Sequence, residues 1–393
     1  GGGGGGWSGD RRGDRDEVAG GNSAVATLLG RAPSARGKSH PTKKWCQTFS
    51  KTISMGCTVT SMPPRPTIHD VAAAAGVSVA TVSKAVNGRY GIATATAQRV
   101  LDVVQQLGYE SSLVASSMRS HRTGVIGVLV ADFEPFSAEI LKGVGTALHD
   151  SRYDLLAYSG TRQRDSEGWE RRSLSRLSGT LIDGAIMVTP TVVSATSEIP
   201  VVAIDPHTGR ADLPTVESDS FTGAMQATRH LIGLGHRRIG FLAGRPDLRS
   251  SIARDAGYRR ALVEAGIPVD PSLIRVGMYL QETSREPAEA LLSLPDRPTA
   301  VFAANDLMAI ATVEVASRRG LTIPHDLSVV GFDDVPEASR MSPALTTIRQ
   351  PMQNLGGTAA QMLIALMAGE TPDHLHVRLP TRLVVRATTA PPA

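Results

Sequence analysis

Residues 67–88 read TIHDVAAAAGVSVATVSKAVNG, a stretch of small and β-branched side chains. Thr67 is a residue type that caps helix N-termini, and Gly76 supplies the left-handed backbone that ends a first helix. Ser78 can cap a second helix, which Asn87 and the glycine after it end. The stretch predicts two short helices joined by a glycine turn, and a third helix follows in the sequence TATAQRVLDVVQQL.

The second helix has two chemically different faces when its residues are placed at about 100° intervals. The face that points away from the domain consists of Val79, Ala80, Ser83, Lys84 and Asn87. The face that packs on Val71 and on Ala74 or Ala75 of the first helix consists of Thr81, Val82, Ala85 and Val86. The helix is therefore predicted to serve both the core and the surface.

Such a pair of helices matches a helix-turn-helix, in which the second helix enters the DNA major groove. Lys84 can reach guanine or a phosphate, Ser83 and Asn87 can form hydrogen bonds, and Val79 or Ala80 can contact a thymine methyl group. A three-helix bundle with a solvated face explains the spacing equally well. Helix spacing alone leaves both interpretations open.

Residues 1–61 differ in composition from the rest of the chain. They begin GGGGGGWSGDRRGDRDE, show no hydrophobic period, contain both cysteines, and carry nine Lys/Arg against four Asp/Glu. Such a segment cannot bury enough apolar surface to offset its chain entropy. We expect a disordered N-terminal extension, or a non-native one if Met62 is the translation start.

The remaining composition excludes several classes of protein. Without cysteine after residue 61, the folded part has no disulfide and no thiolate metal site. No apolar run reaches the roughly 18 residues of a membrane span, and the N-terminus lacks the order of a secretory signal. We expect a cytoplasmic protein with no membrane contact, no metal and no other cofactor.

From residue 124 onward, apolar β runs alternate with amphipathic helices. The runs VIGVLV, DLLAYS, GAIMV and PVVAI precede residue 210, and RIGFLAG, LIRVG, AVFAA and LSVVGFDD follow it. Strands that alternate with helices predict parallel sheets covered on both faces. Eight or more strands fit two doubly wound lobes better than one sheet, with ligands at the carboxyl ends of the strands.

These motifs together resemble one known family. TIHDVAAAAGVSVATVSKAVNG and TAQRVLDVVQQLGY are similar to the DNA-binding headpiece of the lactose-repressor (LacI/GalR) family, and GHRRIGFLAG, LPDRPTAVFAANDLMAI, LSVVGFDDVPEA and LTTIRQP look like its core. The likeness spans about residues 65–390. It implies an α/β protein with an N-terminal all-α helix-turn-helix headpiece and a two-lobed doubly wound core resembling periplasmic sugar-binding proteins.

The resemblance also implies a division of labour along the chain. Residues 62–110 would form the helix-turn-helix DNA-binding domain, 111–123 a hinge, and 124–393 the effector-binding and dimerisation domain. The expected function is a ligand-responsive transcriptional regulator, a repressor, that binds a palindromic double-stranded DNA operator as a homodimer. A sugar is the first expectation for the small-molecule effector, and a nucleoside or nucleobase stays open.

For DNA contact, the resemblance implies that Val79 and Ala80 choose the operator sequence. Lys84 stands where the family usually has arginine, which loses the bidentate fork. Met118 takes the position of the family's leucine wedge in the minor groove. The implied DNA-binding residues are Thr67, Val79, Ala80, Thr81, Ser83, Lys84, Asn87, Met118 and Arg119.

For the effector, the resemblance points to residues at strand ends, where a guanidinium, carboxylates, an amide and an aromatic wall suit a polyhydroxylated ligand. Plain structural roles remain as alternatives, because the two aspartates can cap turns and the arginine can form an inter-lobe ion pair. The implied effector-binding residues are Phe136, Asp205, Ser250, Arg254, Tyr279, Asn305 and Asp333.

Two other classes of protein share such a core, namely a solute-binding protein of a transporter and a sugar-modifying enzyme. No Ser or Cys nucleophile stands at motif spacing from a histidine, and GFLAGRP lacks the rest of a nucleotide-binding loop, so we expect no enzyme. The net charge is +3 in residues 62–124 and −4 in residues 125–393. Positive charge therefore concentrates where DNA would lie.

Overall fold

The computed structural model describes residues 66–86, 91–109, 122–160, 168–191, 197–207 and 213–393. The predicted N-terminal extension lies outside the described residues. So do Asn87, Met118, Arg119 and residues 111–121 of the predicted hinge.

Three helices follow the beginning of the described chain: α1 (Ile68–Ala75), α2 (Val79–Val86) and α3 (Thr94–Leu107). Thr67 and Asp70 cap α1 reciprocally, since each backbone N–H is bonded to the other's side chain. The Ser78 hydroxyl accepts a hydrogen bond from the backbone N–H of Thr81, at 3.1 Å, and so caps α2. Gly76 ends α1 with φ 63°, as its left-handed role requires.

The three helices share a small apolar core. Val71, Val82 and Val100, one from each helix, are fully buried. Ala75 is buried with them, so α2 packs on Ala75 and not on Ala74, which is exposed. Burying one β-branched side chain contributes roughly 1.5–3 kcal/mol, so three such side chains supply much of the stability of so short a bundle.

The rest of the described chain forms two lobes, each built on a six-stranded sheet. The sheet of lobe 1 has the order β11-β5-β4-β3-β1-β2 and is parallel throughout. Its strands are β1 (Val125–Val130), β2 (Asp154–Ser159), β3 (Gly184–Val188), β4 (Val201–Ile204), β5 (Thr215–Ser218) and β11 (His376–Leu379). Its helices are α4 (Pro135–Leu148), α5 (Trp169–Leu177) and α11 (Met352–Met367).

The sheet of lobe 2 has the order β12-β10-β9-β8-β6-β7, in which only β12 runs antiparallel to its neighbour. Its strands are β6 (Ile239–Ala243), β7 (Ile274–Val276), β8 (Ala300–Ala303), β9 (Ser328–Asp333), β10 (Thr346–Arg349) and β12 (Arg382–Val384). Its helices are α6 (Ser220–Gly233), α7 (Arg249–Glu264), α8 (Gln281–Leu292), α9 (Asp306–Arg318) and α10 (Pro336–Arg340).

The chain crosses between the lobes three times: from β5 to α6, from β10 to α11, and from β11 to β12. All eight predicted apolar runs are strands, four in each sheet. The predicted fold class, a helical headpiece followed by two doubly wound lobes, is confirmed. None of the described helices is both long and apolar enough to traverse a bilayer.

Close contact between α4 and α11 holds lobe 1 together on one face. A Cβ atom placed on Gly143 would lie 1.9 Å from the backbone oxygen of Gln353, and one on Gly356 would lie 2.2 Å from that of Ile140. Only glycine allows two helix backbones to approach so closely. Gln353 also donates a hydrogen bond to Glu139, which fixes the register between the two helices.

Candidate functional site

A cavity of about 970 Å³ lies between the two lobes, at the carboxyl ends of their strands. Its volume is at the upper end of the range that holds small molecules. Residues of both lobes line it, so one ligand can touch both. The cavity wall contains all seven predicted effector-binding residues, namely Phe136, Asp205, Ser250, Arg254, Tyr279, Asn305 and Asp333.

Arg254, on α7, is the central cation of the lobe 2 wall and is only 4% exposed. Its Nη1 lies 3.6 Å from Oδ1 of Asp333 and donates a hydrogen bond to the carbonyl oxygen of Ala304. Its Cζ lies 3.7 Å from the ring centroid of Phe332, a cation–π distance. Arg254 and Asp333 both belong to lobe 2, so their pair is not the inter-lobe ion pair of the alternative interpretation.

A chain of hydrogen bonds connects the two lobes at the base of the cavity. Gln350, just after β10, donates from Nε2 to Oδ1 of Asp333 at 2.6 Å and accepts from the Ser218 hydroxyl of lobe 1. The backbone N–H of Ser218 donates to Oδ1 of Asp205 at 3.0 Å. Neither aspartate side chain caps the turn after its own strand. Each instead bonds to a residue at the end of a neighbouring strand.

Burial raises the pKa of both aspartates. Burial raises the pKa of Asp333 to about 7, although Arg254 and the hydrogen bond from Gln350 act in the opposite direction. Burial likewise raises the pKa of Asp205 to about 6, against the hydrogen bond from Ser218 and the charge of Arg254. Carboxyl groups with raised pKa values in a cleft are typical of functional sites, so the two aspartates support this cavity as the candidate site.

Tyr279 forms the aromatic part of the lobe 2 wall. Its ring packs on the backbone of Gly244, where an added Cβ atom would lie 2.1 Å from Cζ of the ring. Its hydroxyl lies 3.5 Å from the hydroxyl of Ser250. Its carbonyl oxygen accepts a hydrogen bond, at 3.0 Å, from Nδ2 of Asn305, which also caps α9 through Oδ1. These contacts fix the ring before any ligand arrives.

Backbone strain concentrates at the same cavity. Among the described residues, six non-glycine residues have positive φ, and five of these line the cavity: Thr189, Asp205, Met278, Tyr279 and Asp333. Such conformations cost on the order of 1–3 kcal/mol each and persist where the surroundings enforce them. The strain indicates that the positions of the side chains are set by the fold.

Two polar residues of the lobe 1 wall, Glu170 and His207, were not predicted from the sequence. Glu170, on α5, is 1% exposed, and its Oε1 accepts hydrogen bonds from the backbone N–H and the hydroxyl of Thr191. His207, after β4, is 8% exposed and donates its backbone N–H to the carbonyl oxygen of Pro190. Oε2 of Glu170 and Nδ1 of His207 are buried without a hydrogen-bond partner. Gln350 was missed as well, although it is the last residue but one of the quoted motif LTTIRQP.

The predicted DNA-binding residues lie on or beside α1 and α2. Ala80 and Lys84 are exposed, while Val79, Thr81 and Ser83 are half-buried. Thr67 is exposed, but its hydroxyl donates to Asp70 within the helix cap. Val79 packs partly against the core of the three helices, so it is less exposed than the helical spacing predicted. Asn87, Met118 and Arg119 lie outside the described residues.

Comparison with known families gives two matches, one in the helical headpiece and one that covers mainly lobe 2. Residues 67–112 match the family "Bacterial regulatory proteins, lacI family", and residues 228–389 match a "Periplasmic binding protein-like domain". Catabolite control protein A of Priestia megaterium is 34% identical over 331 residues, which cover 82% of this chain and 99% of that protein. The chain belongs to the LacI family.

Solved structures of LacI-family regulators have the same architecture. The complex of the transcriptional regulator CelR with cellobiose superposes with a TM-score of 0.62 at 32% identity, covering 82% of this chain and all of that one. The lac repressor dimer bound to operator and the anti-inducer ONPF superposes with a TM-score of 0.71 at 26% identity, covering 83% of this chain and 99% of that one.

Membership of the LacI family identifies the chain as a DNA-binding transcriptional regulator with a helix-turn-helix domain. The helix-turn-helix is formed by α1 and α2, within the residues matched by the family. The periplasmic-binding-like match covers most of lobe 2 and includes α11 and β11 of lobe 1. The lobe 2 wall of the cavity, from Arg245 to Gln350, lies within that match, whereas the residues of the lobe 1 wall lie outside it.

Proposed function

We propose that this regulator is a homodimeric repressor whose affinity for a palindromic operator is set by a small sugar-like effector in the cavity between the lobes. The proposal rests on the cavity between the lobes. Both lobes contribute to it, it has the volume of a small-molecule site, and its wall contains the seven residues expected from the sequence. The division into residues 62–110, 111–123 and 124–393 is part of the proposal.

A sugar suits the chemistry of the lobe 2 wall. Asp333 and Arg254 present an acceptor and a set of donors side by side, and Tyr279 offers a flat apolar surface beside them. Vicinal hydroxyl groups need such paired acceptors and donors, while the C–H face of a sugar ring packs on an aromatic ring. A nucleoside or nucleobase remains the alternative ligand for the same wall. CelR, a relative of known structure, was solved with cellobiose.

The chain of hydrogen bonds at the base of the cavity can couple ligand binding to DNA binding. A ligand that bonds to both lobes changes the balance between their open and closed arrangements. Ser218 and Gln350 stand beside two of the three lobe crossings, so their hydrogen bond joins the lobes at the base of the cavity. The effect is reciprocal: DNA changes ligand affinity as much as the ligand changes DNA affinity, typically by 1–3 kcal/mol.

A solute-binding protein and a sugar-modifying enzyme remain the rival functions for the core. The helix-turn-helix favours the regulator over both, and we propose that it acts in the cytoplasm, where operator DNA is found. The enzyme is excluded if purified protein is stabilised by a sugar and does not consume it. Turnover of that sugar, followed by chromatography of the mixture, would contradict the proposal.

The experiment that tests DNA reading begins with selection of a palindromic binding site by the full chain from a random duplex library. Lys84→Ala should weaken binding to the selected site about tenfold, because it removes a contact to guanine or phosphate worth roughly 1–3 kcal/mol. Lys142→Ala, an exposed lysine of lobe 1, is the matched control and should leave DNA affinity unchanged. Equal affinities of the Lys84→Ala variant and the unaltered protein would remove α2 from the DNA interface.

A further inference from the structure

All three lobe crossings lie towards one edge of the two sheets. They involve β5 and β11 of lobe 1 and β10 and β12 of lobe 2, whereas β2 and β7 are the strands at the opposite edges. A hinge formed by these crossings leaves the cavity open on the side of β2 and β7. The cavity residues that end and follow β7 therefore line its mouth, and the hydrogen bond between Ser218 and Gln350 lies at its closed end.

The mouth carries apolar side chains that stay exposed. Val276, the last residue of β7, and Met278 line the cavity and are 43% and 41% exposed. Exposed apolar surface in a groove is a usual mark of a binding site. The charged pair after the neighbouring strand β6 is already engaged, since Arg245 bonds to Asp247 through two hydrogen bonds. Apolar contact is therefore what this part of the wall offers to a ligand.

The turn that follows β7 holds Met278 at the mouth. Met278 and Tyr279 have φ values of 64° and 67°, in the left-handed region that favours glycine, although both have large side chains. The N–H of Gly277 donates to the carbonyl oxygen of Ala243 at 2.8 Å. The carbonyl oxygen of Tyr279 accepts from Nδ2 of Asn305 at 3.0 Å. The backbone is thus fixed on both sides of Met278, so its exposed position is set by the fold.

The polar and apolar parts of the lobe 2 wall lie far apart. Asp333 ends β9 and Val276 ends β7, and the sheet order places β8 and β6 between them. Three strand spacings of about 4.8 Å each separate the two strand ends by about 14 Å. A single pyranose ring spans less than two such spacings, so a monosaccharide cannot contact both ends.

Tyr279 and the size of the cavity connect these two parts. The ring centroid of Tyr279 lies 5.6 Å from Cζ of Arg254, and the residue follows Met278 directly in the chain. One continuous surface therefore leads from the polar centre to the mouth. The cavity volume of about 970 Å³ suits a ligand larger than a monosaccharide, since cavities of this size hold drug-sized molecules.

We propose that the ligand is a two-part glycoside, in which a sugar ring bonds to Asp333 and Arg254 and a second ring at its anomeric carbon packs on Val276 and Met278. The proposal rests on the proposed function, because it names the ligand class of that same cavity. The second ring is an aryl aglycone or a second sugar, both of which present an apolar face. Val276 and Met278 are then specificity-determining residues that distinguish such glycosides from monosaccharides.

The experiment uses the full-length chain and matched glycosides of glucose and galactose in both anomeric forms. Each set contains the methyl glycoside, the phenyl glycoside and a disaccharide with the same anomeric linkage, such as cellobiose and lactose for the β forms. Thermal shift finds the ligands and calorimetry measures their affinities. We expect at least one phenyl glycoside or disaccharide to bind at least about tenfold more tightly than its methyl glycoside, because it covers the apolar mouth.

The two kinds of second ring are distinguished by the same series. A gain for the phenyl glycoside alone identifies an aryl aglycone, and a gain for the disaccharide identifies a second sugar. Methyl glycosides that bind as tightly as their phenyl and disaccharide counterparts would overturn the proposal and leave the proposed function intact.

Met278→Ala shortens the apolar side chain at the mouth. It should lower the affinity of the best two-ring ligand relative to its methyl glycoside at least about threefold, while the methyl glycoside binds within about twofold of normal. Val263→Ala, which shortens an exposed apolar side chain of α7 outside the cavity wall, is the matched control and should leave the ratio unchanged. An unchanged ratio in Met278→Ala would overturn the role of Met278.

Val276→Thr is a second variant that keeps the shape of its side chain and replaces a methyl group by a hydroxyl group. It should lower the same ratio, and it decides the role of the mouth if Met278→Ala does not fold. Absence of binding by every glycoside would also overturn the proposal. Binding of the selected DNA duplex by the same preparation separates the outcomes: DNA binding alone would refute the ligand class, and loss of both would refute the proposed function as well.

Discussion

The two walls of the cavity differ in how completely their polar groups are satisfied. In lobe 2, Arg254, Asp333 and Asn305 each have protein partners within hydrogen-bonding or ion-pairing distance. In lobe 1, Oε2 of Glu170 and Nδ1 of His207 are buried and have no hydrogen-bond partner. A buried atom left in this way costs roughly 1–3 kcal/mol. Lobe 2 is therefore pre-organised for a ligand, while lobe 1 retains unused bonding capacity.

This asymmetry gives the walls different tasks. A pre-organised wall loses little entropy when the ligand binds, so it supplies affinity. A wall with unsatisfied groups gains most when a ligand brings hydrogen-bond partners to it. Substitutions on the two walls should therefore differ in size and in kind.

The largest effect is expected at Arg254, the centre of the lobe 2 wall. Arg254→Ala leaves Asp333 buried without its cation and should weaken the best-bound sugar at least about 100-fold, equivalent to ~3 kcal/mol. Calorimetry of the purified variant measures this. Arg260→Ala, an exposed arginine on the same helix, is the control and should change affinity less than twofold. Sugar affinity within threefold of normal in Arg254→Ala would show that lobe 2 does not dominate binding.

An intermediate effect is expected where the Tyr279 ring rests on Gly244. Gly244→Ala places a methyl group at 2.1 Å from Cζ of the ring, so the ring must move away from its pre-organised position. Sugar affinity should fall about tenfold, since misplacing one aromatic contact costs on the order of 1.4 kcal/mol. Gly233→Ala, where the added methyl group meets no atom within 4 Å, is the matched control. Unchanged affinity would show that the ring is not a ligand contact.

The smallest effect is expected in the pH dependence of stability without a ligand. The folded pKa of Asp333 is about 7, above the ordinary aspartate value of 3.8, because the side chain is buried. Its contribution to stability is therefore complete below pH 4 and is lost as the pH rises through 7. Between pH 4 and 8 the unaltered protein should lose roughly 5 °C in melting temperature relative to Asp333→Asn, which cannot ionise.

The comparison with Asp333→Asn is needed because other buried groups titrate in the opposite direction. Burial lowers the pKa of His207 and His236, so both resist protonation and cost stability below pH 6.5. The two histidines are present in both the unaltered protein and Asp333→Asn, so their contributions to stability cancel when the two pH profiles are compared. Asp296→Asn, which removes an exposed carboxylate, should leave the pH profile unchanged. Parallel profiles of the protein and Asp333→Asn would contradict a raised pKa at Asp333.

The architecture could be predicted because its signals are local. All eight long apolar runs became strands, and the caps at Thr67 and Gly76 set the ends of the first helix at the positions expected. The strands β5, β10, β11 and β12 were not predicted, since they are short and half polar. Their pairing is also distant in sequence: His376 of β11 lies opposite Thr215 of β5. That these residues complete the two sheets becomes visible only in the folded structure.

The cavity was predictable on the lobe 2 wall and much less so on the lobe 1 wall. Asn305 and Asp333 stand at the ends of obvious strands, where ligand residues are expected. Glu170 lies in the charged helix WERRSLSRL, which a sequence alone presents as a solvated face. Its burial depends on the loop at Thr191, a contact 21 residues away that no local pattern reveals.

The most direct test of the account is a titration of the selected DNA duplex with the full chain, with and without a saturating amount of the best-bound sugar. Fluorescence anisotropy gives the DNA dissociation constant in each case. We predict a change of at least about fivefold, corresponding to ~1 kcal/mol of coupling, and no change in Arg254→Ala. Equal dissociation constants with and without bound sugar in the unaltered protein would contradict the claim that the cavity controls DNA binding.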